Sequence, residues 1–394
     1  MSISKQIKFY KTYQDFNNLQ QQKNLNRSVD DCFYKYDINF ATNDYLLLSK
    51  NELIKCASIE AINKFGNSSS SSRVLLRENN NIYNEVEKKI ANFLKTEECL
   101  ILSSGYQTNS TVIPALLNSQ IVKNAVIFID RLCHNSIYLG VQNSRVKFHR
   151  YKNCDLDHLE LLLKKNNNSD PKFIITESIF SMDGSIVDIK KLVEISNKYN
   201  CFLYIDDAHS VGVYGENGRG LCEDYVDEID MIVGTFSKSF GCFGGYVACS
   251  YILKKYLINK CYGLIYSTAL PCSIIAGIDK SVEIIQQMTQ ERETILELSK
   301  YFRENLRKNQ FNITDGGHII GLIISDNKKI IDRNLLCLEY EKKLFNYKIN
   351  CSAIRSPTVP VGTERIRFSI NSGINKNNLD YCIECLIKIR SELI

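Results

Sequence analysis

Five short, wholly apolar runs constrain this chain most: Cys99–Leu102, Ala125–Ile129, Phe173–Ile175, Cys201–Ile205 and Met231–Val233. Each is too short for a core helix and too apolar for one face to meet water. Each is therefore expected to be a strand buried on both faces. Amphipathic stretches lie between them, such as Ile189–Tyr199 with Ile189, Leu192, Val193 and Ile195 on one side. This alternation specifies an α/β protein built on a mostly parallel sheet. After Pro271 a helical region is predicted to about Asn309. A smaller α/β portion follows, with strands near Ile319–Ile324 and Arg365–Ile370 and a closing helix from about Asn378. Residues 1–39 read as a polar helix-and-turn arm, and Ser68–Ser72 as a tight loop. The expected division is an arm over 1–45, a large domain over 46–275 and a small one over 276–394.

Composition removes several function classes. No apolar run approaches the roughly 18–20 residues of a membrane helix. The N-terminus MSISKQIKFYKTYQDF lacks a signal-peptide core, so the expected location is cytoplasmic. Cysteine occurs 15 times, an odd count, and the sole C-x-x-C pair, Cys382 and Cys385, falls in the closing helix. These read as free thiols of a reducing compartment. One such pair and 5 scattered histidines give zinc no support. The net charge of +5 is spread without a basic stripe, which gives no case for nucleic acid and only compatibility with an acidic partner.

The polar residues that interrupt this pattern collect just after the buried runs. Ser103-Ser104-Gly105-Tyr106 follows the first, Thr176-Glu177 and then Ser181 the third, Asp206-Asp207-Ala208-His209 the fourth, and Gly234-Thr235-Phe236-Ser237-Lys238 the fifth. In open α/β sheets ligands bind at such strand ends. Taken singly, each cluster has an ordinary alternative. Gly105 and Tyr106 offer N–H groups to an anion at a helix start, or they form a plain capped loop. Asp206 needs a cation or N–H partner directly after an apolar run, or it caps a helix. Lys238 is a solvated loop lysine or a desolvated Schiff-base lysine. His134, in Asp130-Arg131-Leu132-Cys133-His134-Asn135-Ser136, could lie flat on a ring or cap a helix. Together a carboxylate, a lysine, a phosphate cradle and an imidazole describe a pyridoxal 5'-phosphate (PLP) site.

TESIFSMDGSIVDI (176–189), YIDDAHSVGVYGENGRGL (204–221) and GTFSKSFGCFGG (234–245) resemble the core of the α-oxoamine synthases, fold-type I PLP-dependent transferases. The resemblance runs from about Phe40 to the C-terminus. It implies a large, mostly parallel seven-stranded sheet domain, a smaller C-terminal α/β domain, and decarboxylative condensation of an amino acid with an acyl thioester. LIYSTALP (264–271) and AIRSPTVPVGTERIRFSIN (353–371) are most similar to the branch that joins a pimeloyl thioester to L-alanine for biotin. A glycine-using 2-amino-3-ketobutyrate ligase and an autoinducer synthase with a medium-chain acyl donor stay open as alternatives. So does a non-catalytic binding protein that kept the fold.

By the same resemblance, Lys238 would carry PLP and act as base, Asp206 would hold its pyridinium nitrogen, and His134 would stack on the ring. Ser181 and His209 would bond the side of the ring that bears the phenolic oxygen. Gly105 and Tyr106 amides, Thr235 and Ser237 would hold the phosphate, with Thr268 reaching it from the partner subunit of a homodimer. Glu177 would support the pocket. Asn43 and Arg367 would bind the amino-acid carboxylate, and Arg27 and Thr358 would contact the acyl substrate, carried on coenzyme A or an acyl carrier protein. Arg365, Arg367 and Ser369 also alternate with apolar residues, which predicts a half-buried strand with Arg365 solvated. The chain departs from the family pattern in the 66–83 loop. Serines replace a glycine-rich stretch there, and Glu78 and Tyr83 stand at the usual Gly and His, with an apparent one-residue insertion upstream. The segment 370–373 also lacks a usual following His. In relatives the 66–83 loop lies near the substrate channel, so these departures bear on the acyl chain and leave the cofactor set untouched.

Overall fold

A computed structural model describes residues 3–29, 35–77, 80–166, 169–324 and 332–393; Glu78 lies outside the described residues. The chain forms two compact units. The larger is Asn43–Glu297 with Asn371–Gly373, and the smaller is Met1–Thr42 with Leu298–Ile370 and Ile374–Ile394.

The smaller unit opens with α1 (Ile3–Gln22) and β1 (Ile38–Asn39). The larger unit then runs α2 (Glu52–Phe65), α3 (Asn80–Leu94), β2 (Glu98–Leu102), α4 (Gly105–Leu116), β3 (Val126–Asp130), α5 (Asn135–Ser144), β4 (Lys147–Tyr151) and α6 (Leu156–Lys165). It continues with β5 (Lys172–Glu177), α7 (Ile189–Tyr199), β6 (Cys201–Asp206), β7 (Met231–Thr235), β8 (Gly245–Cys249), α8 (Tyr251–Lys260), α9 (Tyr262–Ile265) and α10 (Cys272–Gln287). After α11 (Thr289–Lys308) come β9 (Ile319–Ile323), α12 (Arg333–Asn346), β10 (Ile349–Asn350), β11 (Ser352–Ile354), β12 (Arg365–Ser369) and α13 (Lys376–Leu393).

All five apolar runs are strands of one seven-stranded sheet, ordered β2-β8-β7-β6-β5-β3-β4. The pairings from β7 through β4 are parallel, and β8 runs antiparallel to both its neighbours. β3, β5 and β7 are buried along their whole length, as parallel strands covered on both faces must be. Two strands lie outside the expectation. β4 (KFHRY) is an edge strand that leaves most of its residues partly or fully exposed, so it lacks the apolar run that marks the others. β8 begins directly after the turn-rich segment 236–244, which hides its start. Since β2, β3, β5, β6 and β7 point the same way, their C-terminal ends line one edge of the sheet.

The units divide at Thr42/Asn43 and at Glu297/Leu298. α10 packs on α2 and α3, so its apolar face belongs to the larger unit. The described residues before Asn43 pack with the smaller unit. β1 pairs in parallel with β10, Ile38 opposite Ile349. Asn24 Nδ2 donates to Asp332 Oδ2 at 2.8 Å. The Phe40 ring meets Phe302 at 5.9 Å and Phe368 at 5.3 Å between centroids. In this unit β12 is the middle strand of an antiparallel sheet between β11 and β9, and it is buried on both faces. This corrects the half-buried reading: Arg365, only 2% exposed, is not solvated, and its Nε donates to Thr363 O at 2.9 Å.

Candidate active site

The carboxyl-end edge of the larger sheet gathers the polar clusters. Strand register places Glu177 opposite Asp206 and Asp206 opposite Val233. Asp206, 8% exposed, has the partners its burial demands. Asn109 Nδ2 donates to its Oδ2 at 2.6 Å and the Ala208 N–H to its Oδ1 at 3.0 Å. His134 caps α5, accepting the Ser136 N–H on Nδ1 at 3.3 Å, and its backbone N–H donates to Glu177 Oε1. The capping role and a ring open on this edge are therefore held by the same histidine. Desolvation lowers its imidazole pKa; the Asp206 carboxylate opposes that shift and Lys238 adds to it.

Lys238 is half-buried in the turn after β7, where its carbonyl accepts the Gly241 N–H at 2.9 Å. Its positive charge lowers the carboxyl pKa of Glu177, but burial and the nearby Asp206 outweigh it and hold that carboxyl well above the usual carboxylate range. His209 is buried, its Nδ1 2.7 Å from the Tyr45 hydroxyl, which also donates to Asn43 Oδ1 at 3.3 Å. Ser181 lies half-buried in the turn after β5.

α4 starts at this edge. Ser104 caps it, its hydroxyl accepting the Gln107 N–H at 3.1 Å, while the first-turn N–H groups of a helix have no intrahelical acceptor. Two bare glycines bring this helix end against the strands. A Cβ on Gly105 would lie 3.1 Å from Thr235 Cβ, and one on Gly245 only 2.7 Å from the Gly105 nitrogen. The Thr235 hydroxyl, 2.9 Å from that of Ser237, thus stands against Gly105 at the start of α4. Amide donors, a helix dipole and two hydroxyls suit a phosphate. A fixed carboxylate, an imidazole and an amine suit a pyridine ring carrying an aldehyde. The residues fit PLP.

Thr268 is exposed and bridges Ser72, while Tyr83 donates to Leu270 O and carries the Arg73 guanidinium 4.3 Å over its ring. The serine run thus pairs with the segment that bears Thr268. In the smaller unit, Arg27 Nη2 donates to Thr358 Oγ1 at 3.2 Å. Arg367, 4% exposed, lies opposite Gly321 and Ser352. Cys133 and Cys242, which sit within site motifs, have thiols made inert by burial: that of Cys133 is pushed well up and that of Cys242 to about 12. Asn109, Ser136, Tyr204 and Tyr45 belong to this constellation and were not anticipated.

The aminotransferase class I and II family matches residues 35–386. The chain belongs to that family. Within it the chain is an α-oxoamine synthase, a PLP-dependent acyl-transferring enzyme. A Bacillus cereus protein named "Putative 8-amino-7-oxononanoate synthase" is 36% identical over 359 residues, 90% of this chain and 88% of that one. The solved 8-amino-7-oxononanoate synthase of Francisella tularensis superposes with a TM-score of 0.76 at 27% identity, over 91% of this chain and 99% of that one. A structure of SPT with PLP superposes with a TM-score of 0.82 at 25% identity, over 90% and 88%.

Proposed function

We propose that this α-oxoamine synthase condenses L-alanine with a pimeloyl thioester, releasing carbon dioxide and the free carrier and giving 8-amino-7-oxononanoate for biotin. The observation that carries the chemistry is the fixed Asp206 carboxylate at one sheet edge with His134, Lys238 and the start of α4. The likeness to synthases of that name supports the substrates.

Bound PLP supplies an electron sink for charge that develops at the amino acid's Cα. Asp206 accepts the pyridinium N–H and so keeps a proton on that nitrogen. The His134 ring would stack on the pyridine, and Ser181 and His209 would bond the side that bears the phenolic oxygen. Gly105 and Tyr106 amides with the Thr235 and Ser237 hydroxyls hold the phosphate. Glu177 fixes the backbone of His134 through its carboxyl. Lys238 would hold PLP covalently, and as a free amine it would take the proton from the amino acid's Cα and give one back. Arg367, with its planar fork, and Asn43 bind the amino-acid carboxylate. Arg27 and Thr358 contact the acyl substrate. The working enzyme is a cytoplasmic homodimer in which Thr268 serves the partner's phosphate, and the acyl donor rides on coenzyme A or an acyl carrier protein. No helix among the described residues is long and apolar enough to cross a membrane.

The test is a substrate panel: alanine, glycine and 2-aminobutyrate against pimeloyl and decanoyl thioesters, each on both carriers. Highest kcat/KM for alanine with pimeloyl is expected. Preference for glycine or decanoyl would overturn the substrate assignment.

A further inference from the structure

Asn109 sits on the buried side of α4, 2% exposed, with Ser136 and Tyr204 at 1% each. Its amide bonds three side chains. Nδ2 donates to Asp206 Oδ2 at 2.6 Å and to Ser136 Oγ at 3.0 Å, and Oδ1 accepts from the Tyr204 hydroxyl at 2.6 Å. Ser136 Oγ in turn lies 2.8 Å from His134 Nδ1. Ser136 comes within reach because α5 approaches α4 closely: a Cβ on Gly140 would fall 2.5 Å from Asn109 O.

The donor inventory fixes every direction in this chain. A carboxylate only accepts, so the amide must turn its NH₂ toward Asp206 and its oxygen toward Tyr204. The second amide hydrogen occupies one lone pair of Ser136 Oγ, and the serine hydroxyl can still donate to His134 Nδ1. The Ser136 N–H donates to that same nitrogen at 3.3 Å. His134 Nδ1 therefore accepts, and the ring proton belongs on Nε2.

We propose that Asn109 is a positioning residue, which aims the Asp206 carboxylate and, through Ser136, holds His134 as the neutral, Nε2-protonated tautomer. The inference rests on the reading that Asp206 and His134 flank PLP. It gives that site a single buried amide tying the group beneath the pyridine nitrogen to the group over the ring face. A neutral ring there adds no positive charge next to Lys238.

The experiment pairs two readouts on the full-length protein. Nitrogen-15 NMR of histidine-labelled protein, with His134 assigned by its loss in His134→Asn, reports the tautomer without cofactor. Titration with PLP reports affinity. In the wild type an unprotonated Nδ1 is expected at neutral pH. Asn109→Ala should mix the tautomers and weaken PLP binding about tenfold or more, as a buried bond to a charged group implies. Ser136→Ala, which cuts only the histidine branch, should mix the tautomers and change PLP affinity less than about threefold. A wild-type His134 protonated on Nδ1, or an Asn109→Ala protein with unchanged tautomer and affinity, would overturn the inference. Failure of the wild type to bind PLP would instead count against the functional reading, since the tautomer is measured independently.

Discussion

Glu177 and Asp206 face each other in the register of two adjacent parallel strands, yet different partners hold them. Asp206 accepts from an amide side chain and a backbone N–H, whereas Glu177 is fully enclosed and its carboxyl titrates well above the usual range. Burial is the first cause, and the neighbouring Asp206 charge the second. Glu177 meanwhile accepts the His134 backbone N–H on Oε1.

Glu177→Gln keeps an acceptor oxygen for that N–H, so kcat/KM is expected to stay within about threefold of wild type. Glu177→Ala strands a buried N–H, at a cost of about 1–3 kcal/mol in unfolding free energy. Steady-state kinetics and denaturant unfolding of both variants check this. A Gln variant as damaged as the Ala variant would mean that the carboxyl works as an anion.

Asp207 offers a pH test of the fold. Fully buried beside the Ser210 hydroxyl, it is pushed up from 3.8 to about 7, chiefly by burial. A raised folded pKa means that the folded state holds its proton longer than the unfolded one, so stability falls as pH rises between those two values. Asp207→Asn removes this dependence. Its stability relative to wild type should climb across that window by on the order of 4 kcal/mol. Parallel pH profiles of the two proteins would contradict the assignment.

Gly245 is where β8 meets the start of α4. A methyl group there would lie 2.5 Å from Thr108 Oγ1 and 2.7 Å from the Gly105 nitrogen, so the helix end must move. Gly245→Ala is expected to cost about 1–3 kcal/mol in stability through overpacking and to weaken PLP binding about tenfold or more. PLP titration by absorbance measures the second effect; unchanged affinity would place the phosphate elsewhere.

Parts of this architecture are legible in the sequence for a plain physical reason. Strands buried on both faces cannot hide, and Cys99–Leu102 through Met231–Val233 each appear within about two residues of the observed bounds. An edge strand such as Lys147–Tyr151 carries no such signature, because water meets much of it. The place of residues 1–42 depends on contacts such as Asn24 with Asp332, hundreds of positions apart, which no local pattern encodes.

The candidate site divides similarly. Asp206, Lys238 and His134 stand out because polar residues directly after apolar runs are conspicuous. Asn109 lies inside a helix among Thr108, Val112 and Ile113, and nothing in that segment announces a partner until β6 and α5 bring Asp206 and Ser136 to it. Arg365 shows the opposite failure: alternation suggested a wet face, and the middle position of β12 in its sheet closes it.

The central claim is that Lys238 carries PLP in an acyl-transferring enzyme. Borohydride reduction of the holoenzyme, followed by peptide mass measurement, tests it most directly. The account predicts the reduced cofactor on the peptide containing Lys238, and neither adduct nor turnover in Lys238→Ala. A reduced adduct on another lysine, or full turnover in that variant, would contradict it.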